Sequence, residues 1–168
     1  GIAGGAEVIL LAEIPYDADK VAKVIKDRNK AGKGFSILAV AEGALSKEEA
    51  KMSKKEFKAS RAQMVEPSIS YRLARELGER TGQEIRVTIP GHFQRGGSPC
   101  AYDRVLSTRL GTAAAQLIKE EKFGNMVALQ NGCIVPVPLS EVAGKLKKVP
   151  VDCELIQSAR DLGISMGD

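Results

Sequence analysis

The span from Glu7 to Glu42 constrains the fold most, because it sets out a strand, a helix and a second strand in the order that a parallel sheet requires. Glu7-Val8-Ile9-Leu10-Leu11-Ala12-Glu13 is apolar at consecutive positions, as expected of a strand covered on both faces. Ile14-Pro15-Tyr16 breaks it. Asp17 then opens a helix in which Val21, Val24 and Ile25 recur at helical spacing, Lys23, Lys26 and Lys30 line the other side, and Gly32 and Gly34 stop the run. The second strand, Phe35-Ser36-Ile37-Leu38-Ala39-Val40-Ala41, ends in Glu42-Gly43. Two such strands joined by a helix cross over with right-handed sense, so this span reads as one unit of an α/β sheet.

The segment Ser46 to Arg61 is rich in Lys and Glu, with Met52 and Phe57 as its large apolar residues. It reads as a solvated helix or mobile excursion, against a competing reading as a partner-binding face. From Pro67 an apolar stripe of Ile69, Leu73 and Leu77 predicts a helix that Gly82 ends. Glu84-Ile85-Arg86-Val87-Thr88-Ile89 alternates like a strand, with Arg86 and Thr88 on one face. A long helix is expected from Tyr102 to about Lys122, with Val105, Leu106, Leu110, Ala113, Leu117 and Ile118 as its buried face. Met126 to Val137, turning at Asn131-Gly132, predicts a hairpin. Helices near Leu139–Leu146 and Cys153–Leu162 complete the reading.

Gly91-His92-Phe93-Gln94-Arg95-Gly96-Gly97-Ser98-Pro99 has the chemistry of an anion site. It places the only histidine three residues before an arginine, lets the backbone turn at the glycine pair, and offers Ser98-Pro99 as an N-cap and first helical residue. Backbone N–H groups, a helix dipole, a guanidinium and an imidazole would then face one phosphate. The same letters also suit an ordinary loop leading into a helix, and a lone histidine is often a partly buried residue with satisfied hydrogen bonds. Glu42, ending a strand, and the residues after Thr88 are expected at one crevice, since ligands of open α/β sheets gather at the carboxyl ends of strands. A carboxylate beside two arginines and a histidine suits a sugar phosphate.

The net charge of +4 would suit an anionic ligand, and raises nucleic acid as a partner. Aromatic residues at 4%, no tryptophan and basic residues interleaved with acids argue against a base-stacking surface, so no nucleic acid is expected. No apolar run is long enough to span a membrane, and none is expected as a partner. Cys100, Cys133 and Cys153 form neither a zinc motif nor a disulfide framework, which points to a reducing cytoplasm. The N-terminus lacks an initiator methionine and a signal-peptide pattern, and reads as the middle of a longer chain.

Joined to Tyr102-Asp103-Arg104-Val105-Leu106 and Arg109-Leu110-Gly111, the loop closely resembles the C-terminal half of bacterial-type 6-phosphofructokinases. Gly1 to Glu7, Ala39 to Gly43, the Arg86 segment and Leu129-Gln130-Asn131 follow in the family's order, so the resemblance covers nearly the whole chain. It implies a three-layer α/β/α fold with a mostly parallel sheet, incomplete in this chain. Residues 1–92 would be the C-terminal part of the fructose 6-phosphate lobe, 93–145 elements returning to the phosphoryl-donor lobe, and 146–168 a segment crossing back.

By the same resemblance, Glu42, His92 and Arg95 bind fructose 6-phosphate in their own subunit. Arg86 reaches the sugar phosphate of a neighbour, which implies a homo-oligomer, dimer or tetramer. Gly5, Glu7 and Lys33 match an effector nucleotide site, with Glu7 associated with its magnesium ion. Ala31 stands where regulated members carry a second lysine, and Glu7 and Lys33 also read as plain surface charges.

The family's catalytic aspartate, donor loops and a further substrate motif precede the equivalent of Gly1, so no catalytic residue is expected here. The chain alone is expected to be inactive, and Mg2+ would arrive with a donor held by the other half. ATP and pyrophosphate both remain open as donor, the Lys/Glu-rich insertion leaning towards the branch that includes pyrophosphate users. The competing functional reading is a noncatalytic sugar-phosphate or nucleotide-binding regulatory module.

Overall fold

A computed structural model describes residues 1–168. In chain order the elements are β1 (Val8–Leu10), α1 (Ala18–Lys30), β2 (Leu38–Val40), α2 (Lys54–Ala62), α3 (Ile69–Thr81), α4 (Ala101–Lys119), β3 (Asn125–Gln130), β4 (Cys133–Pro138), α5 (Leu139–Val142) and α6 (Glu154–Asp161). They form two compact units, Gly1–Ile89 with Lys148–Asp168, and Pro90–Lys147.

In the first unit β1 and β2 pair in parallel, Val8 opposite Leu38 and Leu10 opposite Val40, with α1 as the expected crossover. Asp17 caps α1 as its sequence predicts, its Oδ1 accepting from the N–H groups of Asp19 at 2.9 Å and Lys20 at 3.4 Å. Alternation along β1 divides the core. Val8 and Leu10 pack with Val21 and Ile25 of α1 and with Ile69, Leu73 and Leu77 of α3. Ile9 and Leu11 turn to the other face, against Ile156 and Ala159 of α6 and Met166. Helices thus cover both faces of the sheet, giving the three expected layers.

The chain's end completes the other edge of β1. The Ile9 N–H donates to the Ser165 carbonyl at 2.8 Å, and the Ser165 N–H to the Glu7 carbonyl at 3.0 Å. Gly167 then passes so close to the core that a Cβ there would lie 2.7 Å from Leu10 Cδ2 and 2.9 Å from Tyr16 Cβ.

Five expectations need correction in detail. Glu84–Ile89 keeps its alternation, with Ile85 and Val87 half-buried and Arg86 and Thr88 exposed, but belongs to no sheet. A strand needs a partner edge, and here a groove of about 730 Å3 is lined by Leu38 and Val40 of β2, Leu73 and Leu77 of α3, and residues Gln83 to Thr88. The Ser46–Arg61 segment is not simply solvated. It forms a 3-10 turn, Glu49–Lys51, and then α2, and Glu49 is buried to 5% exposure.

In the second unit α4 starts at Ala101 with Cys100 as its cap residue, not at Pro99 with Ser98. Asp103 decides this, because its Oδ2 accepts from the Cys100 N–H at 3.0 Å and so holds the first turn there. That bond also lowers the Asp103 carboxyl from its ordinary value. The hairpin forms as expected, with Asn125 opposite Pro138 through Gln130 opposite Cys133, and Asn131 and Gly132 at φ 49° and 80° in a primed turn.

The expected apolar face of α4 is only partly covered within this unit. Leu106, Leu110, Ala113 and Leu117 are half-buried, while Val105 and Ile118 are 60% and 64% exposed. A two-stranded hairpin has too little area to bury a helix of 19 residues. α5 is shorter than expected, ending at Val142. No helix is long and apolar enough to cross a membrane.

Candidate functional site

His92 and Arg95 are brought together by a single 3-10 turn, Gly91–Arg95, in the second unit. At three residues per turn, side chains at i and i+3 eclipse, so imidazole and guanidinium project from the same side. Both residues are exposed. The Phe93 N–H donates to the Pro90 carbonyl at 3.1 Å and the Gly96 N–H to the Phe93 carbonyl at 3.0 Å. Gly91 and Gly97, at φ 53° and 90°, bracket the turn in a backbone region that side-chain-bearing residues rarely adopt. The turn can present an imidazole and a guanidinium to one anion.

Glu42 and Arg86 belong to the first unit, on separate elements. Glu42 follows β2, where the Ala41 N–H donates to the Leu10 carbonyl at 2.9 Å and extends the parallel ladder by one bond. The Ala44 N–H then donates to the Ala41 carbonyl at 2.9 Å, so Glu42 and Gly43 form the corner of a tight turn. Glu42 is exposed at the carboxyl end of a strand, where ligands of open α/β sheets gather. Arg86 lies in the extended segment, its Nε 2.9 Å from Glu84 Oε1 and its side chain 86% exposed. So loose a pair leaves the guanidinium available to an anion.

Gly5, Glu7 and Lys33 lie at one end of the same unit. Gly5 closes the N-terminal turn at φ 69°, and Lys33 is exposed in the turn after α1. Glu7 is already engaged. Its Oε1 accepts from Arg28 Nη2 at 2.6 Å and its Oε2 from the Ile37 N–H at 2.6 Å, while Arg28 Nε donates to Ser36 Oγ at 3.0 Å. These bonds tie β1, α1 and the start of β2 together. No group of three or more His, Cys, Asp or Glu residues is placed to hold a metal ion by protein ligands alone, and a cation at Glu7 would compete with the Arg28 guanidinium for its Oε1.

Sequence reasoning missed the most buried polar cluster. Glu49 accepts from both Nη atoms of Arg72, at 2.8 and 2.9 Å, and from the Ser46 N–H at 3.0 Å, with Arg61 Nε 3.3 Å away. Ser46 Oγ accepts in return from the Glu49 N–H at 3.2 Å. Ser-x-x-Glu is a capping-box pattern, so the local half was visible in the sequence, whereas Arg72 is supplied by α3 through tertiary packing. Burial pushes the Glu49 carboxyl up, but Arg72, the Ser46 N–H and Arg61 together hold it below the usual range. Arg72 is raised in turn, first by Glu49.

Residues 1–118 match the family model described as Phosphofructokinase. The whole chain aligns at 51% identity with an ATP-dependent 6-phosphofructokinase of Spirochaeta thermophila, covering 46% of that protein. It aligns at 45% with one of Propionibacterium freudenreichii and at 43% with one of Chloroflexus aurantiacus, covering 50% and 45% of them. The chain therefore spans about half the length of these relatives. Among solved structures, 95% of the chain superimposes on a pyrophosphate-dependent phosphofructokinase from Marinobacter aquaeolei, at TM-score 0.64 and 19% identity over 40% of that chain. The phosphofructokinase of Saccharomyces cerevisiae matches 82% of this chain at TM-score 0.58 and 28% identity, over 17% of its own length.

Proposed function

The chain belongs to the phosphofructokinase family, and from that premise we propose that it is the fructose 6-phosphate-holding part of a 6-phosphofructokinase acting in glycolysis. The observation that carries this is the Gly91–Arg95 turn, which sets His92 and Arg95 on one side between two left-handed glycines. His92 and Arg95 take the 6-phosphate, Arg95 by two parallel N–H donors. Glu42 accepts from a sugar hydroxyl and so orients the ring, leaving the 1-hydroxyl free for phosphoryl transfer. Arg86 serves the sugar phosphate of a neighbouring subunit, and a homo-oligomer follows from that role.

The donor is ATP, a reading supported by the relatives at 43–51% identity, which are ATP-dependent 6-phosphofructokinases. Mg2+ would arrive with that donor, held by the other half of the parent, and would supply charge neutralisation at the transferring phosphoryl group. The donor site and the base that takes the 1-hydroxyl proton come from the rest of the parent polypeptide, in an enzyme of the cytoplasm. Residues 1–92 belong to the sugar-phosphate lobe, 93–145 to the donor lobe and 146–168 to the sugar-phosphate lobe again.

An Arg95→Ala substitution in the full-length parent tests the reading. Loss of a charge-assisted pair of hydrogen bonds raises the fructose 6-phosphate KM about 10- to 100-fold. An unchanged KM and dissociation constant would remove Arg95 from the site.

A further inference from the structure

We infer that the buried Glu49, Arg72 and Arg61 cluster is a positioning device for Glu42, and that Arg72 and Arg61 thereby set the affinity for the sugar phosphate. This rests on the reading of Glu42 as a sugar-binding carboxylate.

Glu42 sits at the corner of the Ala41–Ala44 turn, exposed, so the backbone alone aims its side chain. Upstream that backbone is part of the sheet, through the Ala41 N–H and the Leu10 carbonyl. Downstream it is pinned from two directions. Leu45 and Lys47 exchange hydrogen bonds with Tyr16, the Tyr16 N–H donating to Leu45 O at 2.9 Å and the Lys47 N–H to Tyr16 O at 2.8 Å. From the other side come the guanidiniums. Arg61 Nη2 donates to the Ala44 carbonyl at 3.1 Å, and Arg72 grips Glu49, whose carboxylate in turn accepts from the Ser46 N–H.

Arg72 does not move freely. Its helix, α3, buries Ile69, Leu73 and Leu77 in the main core, so the fork carries the rigidity of that core to the turn after Glu42. Stability by itself is a poor reason for such a cluster, since burying charges costs desolvation and an apolar set of similar volume often does as well. An apolar set would not supply the directed bonds to Ala44 O and Ser46 N that fix the turn in one place. Arg61 also lies over the Phe57 ring, 5.1 Å from its centroid, which holds the guanidinium against α2.

The test uses the full-length parent with Arg72→Met, Arg72→Lys and Arg61→Leu, the last leaving the Glu49–Arg72 fork in place. A displaced Glu42 raises the fructose 6-phosphate KM about tenfold in both Arg72 variants, and less in Arg61→Leu, with the donor KM unchanged and kcat within about twofold. Arg72→Lys fails to rescue, because an ammonium keeps the charge but not the planar fork. A merely structural role instead lowers the active fraction, and so kcat, without moving the sugar-phosphate KM in any folded variant. That result overturns the inference. Glu42→Gln run in parallel separates the two readings. If it raises the sugar-phosphate KM while the arginine variants do not, only the positioning role falls; if it too leaves KM unchanged, the sugar-binding reading of Glu42 falls and the positioning role with it.

Discussion

Glu49, the buried carboxylate of the core, couples pH to folding. Its carboxyl is held below the ordinary 4.5 in the folded chain, so its contribution is fully present above pH 4.5 and is lost as pH falls through the folded value. Glu49→Gln leaves two guanidiniums facing a neutral amide, and is expected to cost about 3 kcal/mol near neutral pH. Urea denaturation at pH 7 and again below pH 4.5 checks this. The gap between wild type and variant shrinks in acid, and a gap that stays constant would contradict the assignment. At this scale the sequence shows which groups are chemically able to act, as with His92 and Arg95 three residues apart on one turn. It does not show how a group is already occupied. Glu7 reads as a free carboxylate until Arg28, 21 residues away, is found on it.

The elements separate local pattern from pairing. Helices α1 and α3 form where their apolar stripes predict, because a helix makes its hydrogen bonds within itself and its stripe finds the core. Glu84–Ile89 carries an equally plain strand pattern yet joins no ladder, since a strand's hydrogen bonds depend on another segment being alongside. Hydrogen exchange on the 168-residue chain should show this difference. The amides of Ile85 and Val87 are expected to exchange roughly a thousandfold or more faster than those of Leu73 and Leu77, which lie inside α3. Equal protection of both sets would mean that the segment is paired in solution. The hairpin marks the opposite case, where Asn131-Gly132 specifies its own turn and the neighbouring strands need only each other.

Across the whole molecule, burial is uneven. Every fully buried side chain belongs to Gly1–Ile89 or Lys148–Asp168, and none to Pro90–Lys147. The second unit keeps its hairpin and α4 but has little buried apolar area to stabilise them within itself. Limited trypsin digestion of the 168-residue chain is therefore expected to cut first between Arg95 and Lys145. Survival of that span while the first unit is degraded would refute the inferred order of stability. Mass spectrometry of the early fragments decides between them.

The sequence by itself determined the strand–helix–strand unit, the stripes of α1 and α3, the hairpin turn, and the His92–Arg95 loop with its family resemblance. These depend on periodicity, turn chemistry and near neighbours, all of which lie within a short span of residues. Tertiary structure alone decided which charges were spent. It set Arg28 on Glu7, closed Arg72 and Arg61 around Glu49, and left Glu84–Ile89 without a partner strand. The physical reason is that a salt bridge or a ladder bond is a relation between segments brought together by the core, and no local pattern states which partner will arrive.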